Sequence, residues 1–138
     1  KLVKEYDVRC PSIDVQAGKL SGGNLQKLIL ARETCTQPKF LIVEQPTRGL
    51  DIGATDDIRA LLLRQKEAGS AILLISADLD EVLALSDRVI VMYEGSFVQE
   101  FMGGKVDMDQ LSLAMAGVTA SSSEHGNIQK EDVGTEEV

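Results

Sequence analysis

Three short stretches of this chain carry groups that can handle a phosphate. The first is Leu20-Ser21-Gly22-Gly23-Asn24-Leu25-Gln26-Lys27. A serine and two glycines at the start of a helical pattern offer a hydroxyl and several unpaired backbone N–H groups. Glycine lets that backbone come close to an anion, and the helix N-terminus adds a partial positive charge. The second stretch is Phe40-Leu41-Ile42-Val43-Glu44-Gln45-Pro46-Thr47, an apolar strand that ends in polar groups where a metal-bound nucleotide would sit. Glu44 is a hard oxygen donor suited to Mg²⁺. Gln45 can orient a water but cannot take its proton near neutral pH. The third, Ser76-Ala77-Asp78, follows a second apolar run. Taken alone, Ser-Gly-Gly reads better as a plain helix cap after a glycine turn.

In combination these stretches resemble the ATP-binding domains of ABC transporters. Residues Leu20 to Lys27 are similar to the signature sequence, in the form found in sugar and nucleoside importers. The resemblance assigns Leu20, Ser21, Gly22, Gly23, Asn24 and Gln26 to nucleotide contact, with Ser21, Gly22 and Gly23 capping the γ-phosphate of ATP held by the opposite domain. Pro46-Thr47-Arg48-Gly49-Leu50-Asp51 continues the pattern, and by resemblance Asp51 belongs to the loop that crosses the dimer interface. Family members usually carry Asp-Glu after the first strand and a His two residues beyond the second. Glu44 and Gln45 stand at the first pair of positions and Ala77 at the histidine position. The resemblance therefore implies a metal contact at Glu44, the loss of the general base at Gln45, and the loss of a phosphate donor at Ala77. Ser76 is read as a strand terminator rather than a substitute donor. The chain's own nucleotide site is expected to be degenerate, while its signature serves a second site.

That arrangement suits importers carrying two ATP-binding domains in one polypeptide. Asp7-Val8-Arg9-Cys10-Pro11-Ser12 and Val91-Met92-Tyr93-Glu94-Gly95 are similar to the second domain of such fusions. The resemblance covers roughly residues 5–117. It implies ATP and Mg²⁺ as ligands, a second ATP-binding domain and transmembrane permease subunits as partners, and a peripheral location on the cytoplasmic face of the membrane. The competing expectation is a nucleotide-dependent dimerisation module that does not hydrolyse ATP. No G-x-x-x-x-G-K-[ST] phosphate loop occurs in the chain, so the sequence reads as a fragment, inactive alone, whose nucleotide-gripping half lies upstream.

The elements that must position these residues follow from periodicity and breakers. Residues 1–19 read as irregular, with Pro11 and Gly18 as interruptions. A helix is expected from Ser21 to about Thr34, its face marked by Leu25, Leu28, Ile29 and Arg32. Residues 39–44 predict a strand buried on both faces, and Gly49 and Gly53 bracket a loop. A helix over 55–67 turns Ile58, Leu61 and Leu62 inward. Residues 71–75 form a second buried strand, 79–85 a short helix capped by Asp78, and 89–93 a third strand. Glu94-Gly95 turns into a hairpin partner at 96–101, and 107–116 make a last helix. Alternating strands and helices predict an α/β fold with parallel pairing and right-handed crossovers. By resemblance it is part of a P-loop NTPase-like three-layer sheet with flanking helices, lacking its N-terminal phosphate-loop half. Ligands of such sheets bind at the carboxyl ends of the strands, where Glu44, Gln45, Ser76 and Ala77 fall.

Bulk properties bound these expectations. The chain has 138 residues, enough for one domain with a core, and a net charge of -8. That balance argues against nucleic acid as a partner. Part of the excess lies at Glu124, Glu131, Asp132, Glu136 and Glu137, opposed only by Lys130. Residues 119–138 therefore read as an acidic disordered tail, with the single histidine, His125, inside it and remote from chemistry. Cys10 and Cys35 match no metal spacing, and no signal peptide or membrane-spanning run is recognisable.

Overall fold

The computed structural model describes residues 1–104 and 106–118. The expected disordered tail and His125 lie outside the described residues. The order of elements is α1 (Leu2–Glu5), a 3₁₀ turn (Ala17–Lys19), α2 (Gly22–Thr34), β1 (Phe40–Glu44), α3 (Ile52–Glu67), β2 (Ala71–Ile75), α4 (Leu79–Leu85), β3 (Arg88–Tyr93), β4 (Ser96–Met102) and α5 (Met108–Met115). They divide into two compact units, one spanning Lys1–Ser86 and one beginning at Asp87.

In the first unit β1 and β2 pair in parallel, with Leu41 opposite Ile72 and Glu44 opposite Ile75. Leu41 and Val43 point into a core built with Leu30 and Ala31 of α2, Ile58, Leu61 and Leu62 of α3, and Tyr6 and Val8 of the N-terminal segment. The inward set expected on α3 is buried as read from the sequence, with Ile58 fully so. Truncating Ile58 to alanine would cost about 2–5 kcal/mol, because the surrounding helices can only partly collapse on the cavity. Tyr6 and Thr34 close the core with a hydroxyl chain. Thr34 Oγ1 donates to the Leu30 carbonyl at 2.6 Å and accepts from the Tyr6 hydroxyl at 2.6 Å.

Several expectations are corrected here. The buried face of α2 is Gly23, Lys27, Leu30, Ala31 and Thr34, not the line of Leu25, Leu28, Ile29 and Arg32. The period is helical, but the true stripe includes two polar residues that bury only because they find partners. Helix α3 begins at Ile52 rather than at 55, since the Asp51 carboxylate caps it and accepts the Ala54 N–H at 2.8 Å. Gly53 thus lies in a first turn, not a loop. The segment read as irregular holds α1 and the 3₁₀ turn. The strands are buried on one face only. Phe40 and Ile42 of β1 and Leu73 and Ile75 of β2 are exposed, because α2 and α3 cover the opposite face alone.

In the second unit β3 pairs antiparallel with β4 and forms a separate two-stranded sheet. Among the described residues the third strand is paired with β4, not in parallel as expected. The ladder partner of β3 comes instead from the local turn at Glu94-Gly95, where both residues have positive φ, 46° and 78°. That conformation is the one a tight two-residue hairpin requires. Val89, Val91 and Phe101 of the hairpin and Leu111 and Ala114 of α5 are buried. Helix α5 is capped by Asp107, whose Oδ1 accepts from the N–H groups of Asp109 and Gln110.

Candidate functional site

The first group of candidate residues gathers where α2 and α3 begin. Ser21 caps α2, its Oγ accepting the Asn24 N–H at 3.4 Å. Helix geometry leaves the Gly22 and Gly23 N–H groups without an intrahelical acceptor. The two helix starts are in contact. A Cβ on Gly23 would lie 2.6 Å from the Ala54 Cβ, and one on Gly22 would lie 3.3 Å from Leu50 Cδ2. Glycine is thus required at Gly23 for close helix packing, while at Gly22 a side chain would press on Leu50. Leu20 packs at the margin of the core below. Asp51 shares this corner, but its carboxylate is engaged with its own helix through the Ala54 N–H. Gln26 is half-buried one residue before the buried stripe.

Asn24 is the most engaged of these side chains. Its Oδ1 accepts the Arg9 backbone N–H at 2.7 Å, and its Nδ2 donates to Ser21 Oγ at 2.8 Å. The amide therefore ties the start of α2 to the preceding segment.

A residue not singled out in the sequence holds the other side of the corner. Lys27 is buried, and its ammonium donates to Asp57 Oδ2 at 2.6 Å, to the Asp7 carbonyl at 3.3 Å and toward Asp7 Oδ2 at 3.5 Å. One hydrogen bond and two ion pairs therefore surround the buried ammonium. Lys27 thus joins α2 to α3 and to the turn at Asp7, a non-glycine residue with φ 48°. A lysine spaced four residues after Gly23 and three before Leu30 on one helical line was the available signal.

The second group lies at the carboxyl ends of β1 and β2, as the parallel sheet predicts. Glu44 is exposed at the last register position, opposite Ile75. Gln45 follows with φ 47° and donates its N–H to the Ile75 carbonyl at 2.8 Å. A left-handed glutamine at a strand end is a local strain of the kind found at functional positions. Buried Pro46 and Thr47 fix the turn behind it. On the neighbouring strand end, Ser76 Oγ accepts the Asp78 N–H at 3.0 Å. Ser76 thus helps shape the turn into α4. Ala77 is exposed and brings no polar side-chain atom. Asp78 caps α4 through the Glu81 N–H at 3.1 Å and pairs with Arg59 at 3.2 Å. Among the described residues no group of three or more His, Cys, Asp or Glu side chains gathers to hold a metal. Glu44 could supply one carboxylate, which suffices for Mg²⁺ when phosphate oxygens and waters complete its octahedron.

No helix among the described residues is long and apolar enough to cross a membrane.

Comparison with known proteins gives these two groups a context. No family model matches the chain. It is 48% identical over 118 residues to the glucose import ATP-binding protein TsgD13 of Haloferax volcanii, covering 84% of the chain and 22% of the relative. It is 43% identical over 126 residues to the guanosine import ATP-binding protein NupO of Bacillus subtilis, covering 91% and 25%. Identity to the ribose import ATP-binding protein RbsA of Shigella dysenteriae is 38% over 121 residues, covering 88% and 24%. The chain thus spans about a quarter of the length of these relatives. Among solved structures, the ABC transporter cassette MJ1267 superposes with a TM-score of 0.71 at 28% identity, over 84% of this chain and 46% of that one. The dimeric cassette MJ0796, in a post-hydrolysis state with ADP and Pi, shares the fold at a TM-score of 0.66 and 23% identity. Sequence and fold agree that this chain belongs to the ATP-binding domains of ABC transporters.

Proposed function

We propose that this chain is the C-terminal part of the second ATP-binding domain of a sugar- or nucleoside-type ABC importer. In this reading the start of α2 completes a nucleotide site held by the opposite domain, and the carboxyl ends of β1 and β2 belong to a second, degenerate site. The observation that carries it is the contrast between the two groups. Ser21 and the Gly22 amide form a donor-bearing helix start, while Gln45 brings no base and Ala77 no side-chain donor to the strand ends. The importer assignment rests on the glucose, guanosine and ribose import relatives.

The proposed division of labour follows from the chemistry. Phosphoryl transfer depends mainly on positioning and on neutralising charge around the transferred group. Ser21 and the Gly22 amide would hold γ-phosphate oxygens of ATP presented by the partner domain. Glu44 would ligate Mg²⁺ at the chain's own site, where the ion would neutralise phosphate charge. Gln45 would orient a water there without deprotonating it, so bound ATP would persist. Binding at both sites would close the two ATP-binding domains, and hydrolysis at one would reopen them against the transmembrane permease subunits. The assembly would lie on the cytoplasmic face of the membrane.

The test is the stoichiometry of orthovanadate-trapped nucleotide in the full-length transporter. One trapped ADP per polypeptide is expected. Two would mean that the Gln45 site is competent. None, with ATP still bound, would favour a nucleotide clamp that assembles without hydrolysis.

A further inference from the structure

We infer that Asn24 is a positioning residue that fixes the polarity of the Ser21 hydroxyl, holding it as a hydrogen-bond donor toward the bound nucleotide. The inference deepens the proposed function and rests on it.

The argument begins at Arg9. A backbone N–H can only donate, so the Asn24 atom that meets it at 2.7 Å must be the carbonyl oxygen. That contact decides the orientation of the side-chain amide, which geometry alone leaves open. The other end of the amide, Nδ2, then faces Ser21 Oγ at 2.8 Å and can only donate. Ser21 Oγ also accepts the Asn24 backbone N–H at 3.4 Å. A serine hydroxyl has two lone pairs and one hydrogen. Both lone pairs are engaged by Asn24, once through its backbone and once through its side chain. The remaining hydrogen points away from the helix, where only an acceptor can meet it. With the Gly22 N–H beside it, the start of α2 offers donors alone, which suits an anionic oxygen and rejects cations and other donors.

The same geometry says what Asn24 excludes. An aspartate has nearly the same shape and would still accept the Arg9 N–H. Its second oxygen, however, would accept the Ser21 hydroxyl hydrogen and turn the serine inward. The donor would be lost with little change in shape.

The experiment compares Ser21→Ala, Asn24→Asp, Asn24→Ala and the Ser21→Ala/Asn24→Ala double variant in the full-length transporter. ATP turnover gives kcat and KM, and hydrogen exchange on the nucleotide-free protein reads the Arg9 amide. Ser21→Ala should lower kcat about 10²-fold, the scale of losing one preorganised donor. Asn24→Asp should match that loss to within about tenfold while the Arg9 amide stays protected. Asn24→Ala should expose the Arg9 amide and lower kcat less than Asn24→Asp, since the freed hydroxyl can still rotate outward. Its effect should vanish in the Ser21→Ala background, as expected of a residue acting through another. If Ser21→Ala collapses turnover while Asn24→Asp with a protected Arg9 amide retains it, the polarity assignment is overturned and the proposed function stands. Asn24→Ala losing as much activity with Ser21 absent as with it present would also overturn the assignment. If Ser21→Ala itself leaves turnover unchanged, the proposed function fails and this inference falls with it.

Discussion

The start of α2 and the carboxyl ends of β1 and β2 are both polar, and both are where the proposed function puts nucleotide. They differ in what their polar groups are free to do. At α2 the capping side chain is neutral, Gly22 is exposed, and Asn24 and Lys27 brace the helix start. At the strand ends the side chains are Glu44 and Gln45, Ser76 accepts the Asp78 amide, and Ala77 is bare. A third polar end sharpens the contrast. Helix α3 also begins with open N–H groups, but its cap, Asp51, brings a full negative charge to the same place. A carboxylate at a helix start satisfies the dipole internally, whereas the neutral serine at α2 does not, which is what the proposed function requires. In the proposed function it is donors left unspent, rather than polarity as such, that mark the surface that would receive an anion.

The comparison can be broken by changing the packing that holds α2. Gly23→Ala should have the largest effect, because the added methyl meets Ala54 Cβ at 2.6 Å with no room on either side. The expected cost is about 1–3 kcal/mol of stability from overpacking, read by chemical denaturation of the full-length protein. Turnover should fall as well, because the two helix starts must part. A smaller effect is expected from Lys27→Met. The lysine is buried, but its partners Asp57 and Asp7 are 52% and 70% exposed. Both carboxylates can return to water when the ammonium is lost, so the cost should be about 1–2 kcal/mol, well below that of orphaning a buried charge. A larger loss for Lys27→Met than for Gly23→Ala would mean that α2 is held by its charge cluster rather than by close packing.

Much of this was legible in the sequence. The caps Ser21 and Asp78 were, because a small polar side chain before an apolar period has one common use. So were β1, β2 and the Glu94-Gly95 hairpin, where apolar runs meet turn residues. The buried stripe of α2 was not, because Lys27 and Thr34 look like surface residues until Asp57, Asp7 and Tyr6 arrive from distant parts of the chain. Gly53 was read as a loop because glycine weakens a helix, yet the Asp51 cap fixes the helix start before it. The exposed faces of β1 and β2 were missed for another reason. A continuous apolar run predicts burial on both faces, but not which segment of a polypeptide does the covering. The site residues divide the same way. Their types were readable, whereas the bonding of Asn24 to Arg9 and Ser21 requires the fold.

The central claim is that the chain's signature completes a competent site elsewhere while its own strand-end site does not turn over. The most direct measurement is ATP hydrolysis by the full-length transporter, with Ser21→Arg compared against Gln45→Glu. The account predicts that Ser21→Arg abolishes turnover, since a bulky cation replaces the neutral cap where the partner's phosphate must seat. It predicts that Gln45→Glu leaves turnover nearly unchanged, since Ala77 still supplies no donor at that site. Turnover that survives Ser21→Arg, or rises sharply with Gln45→Glu, would contradict it.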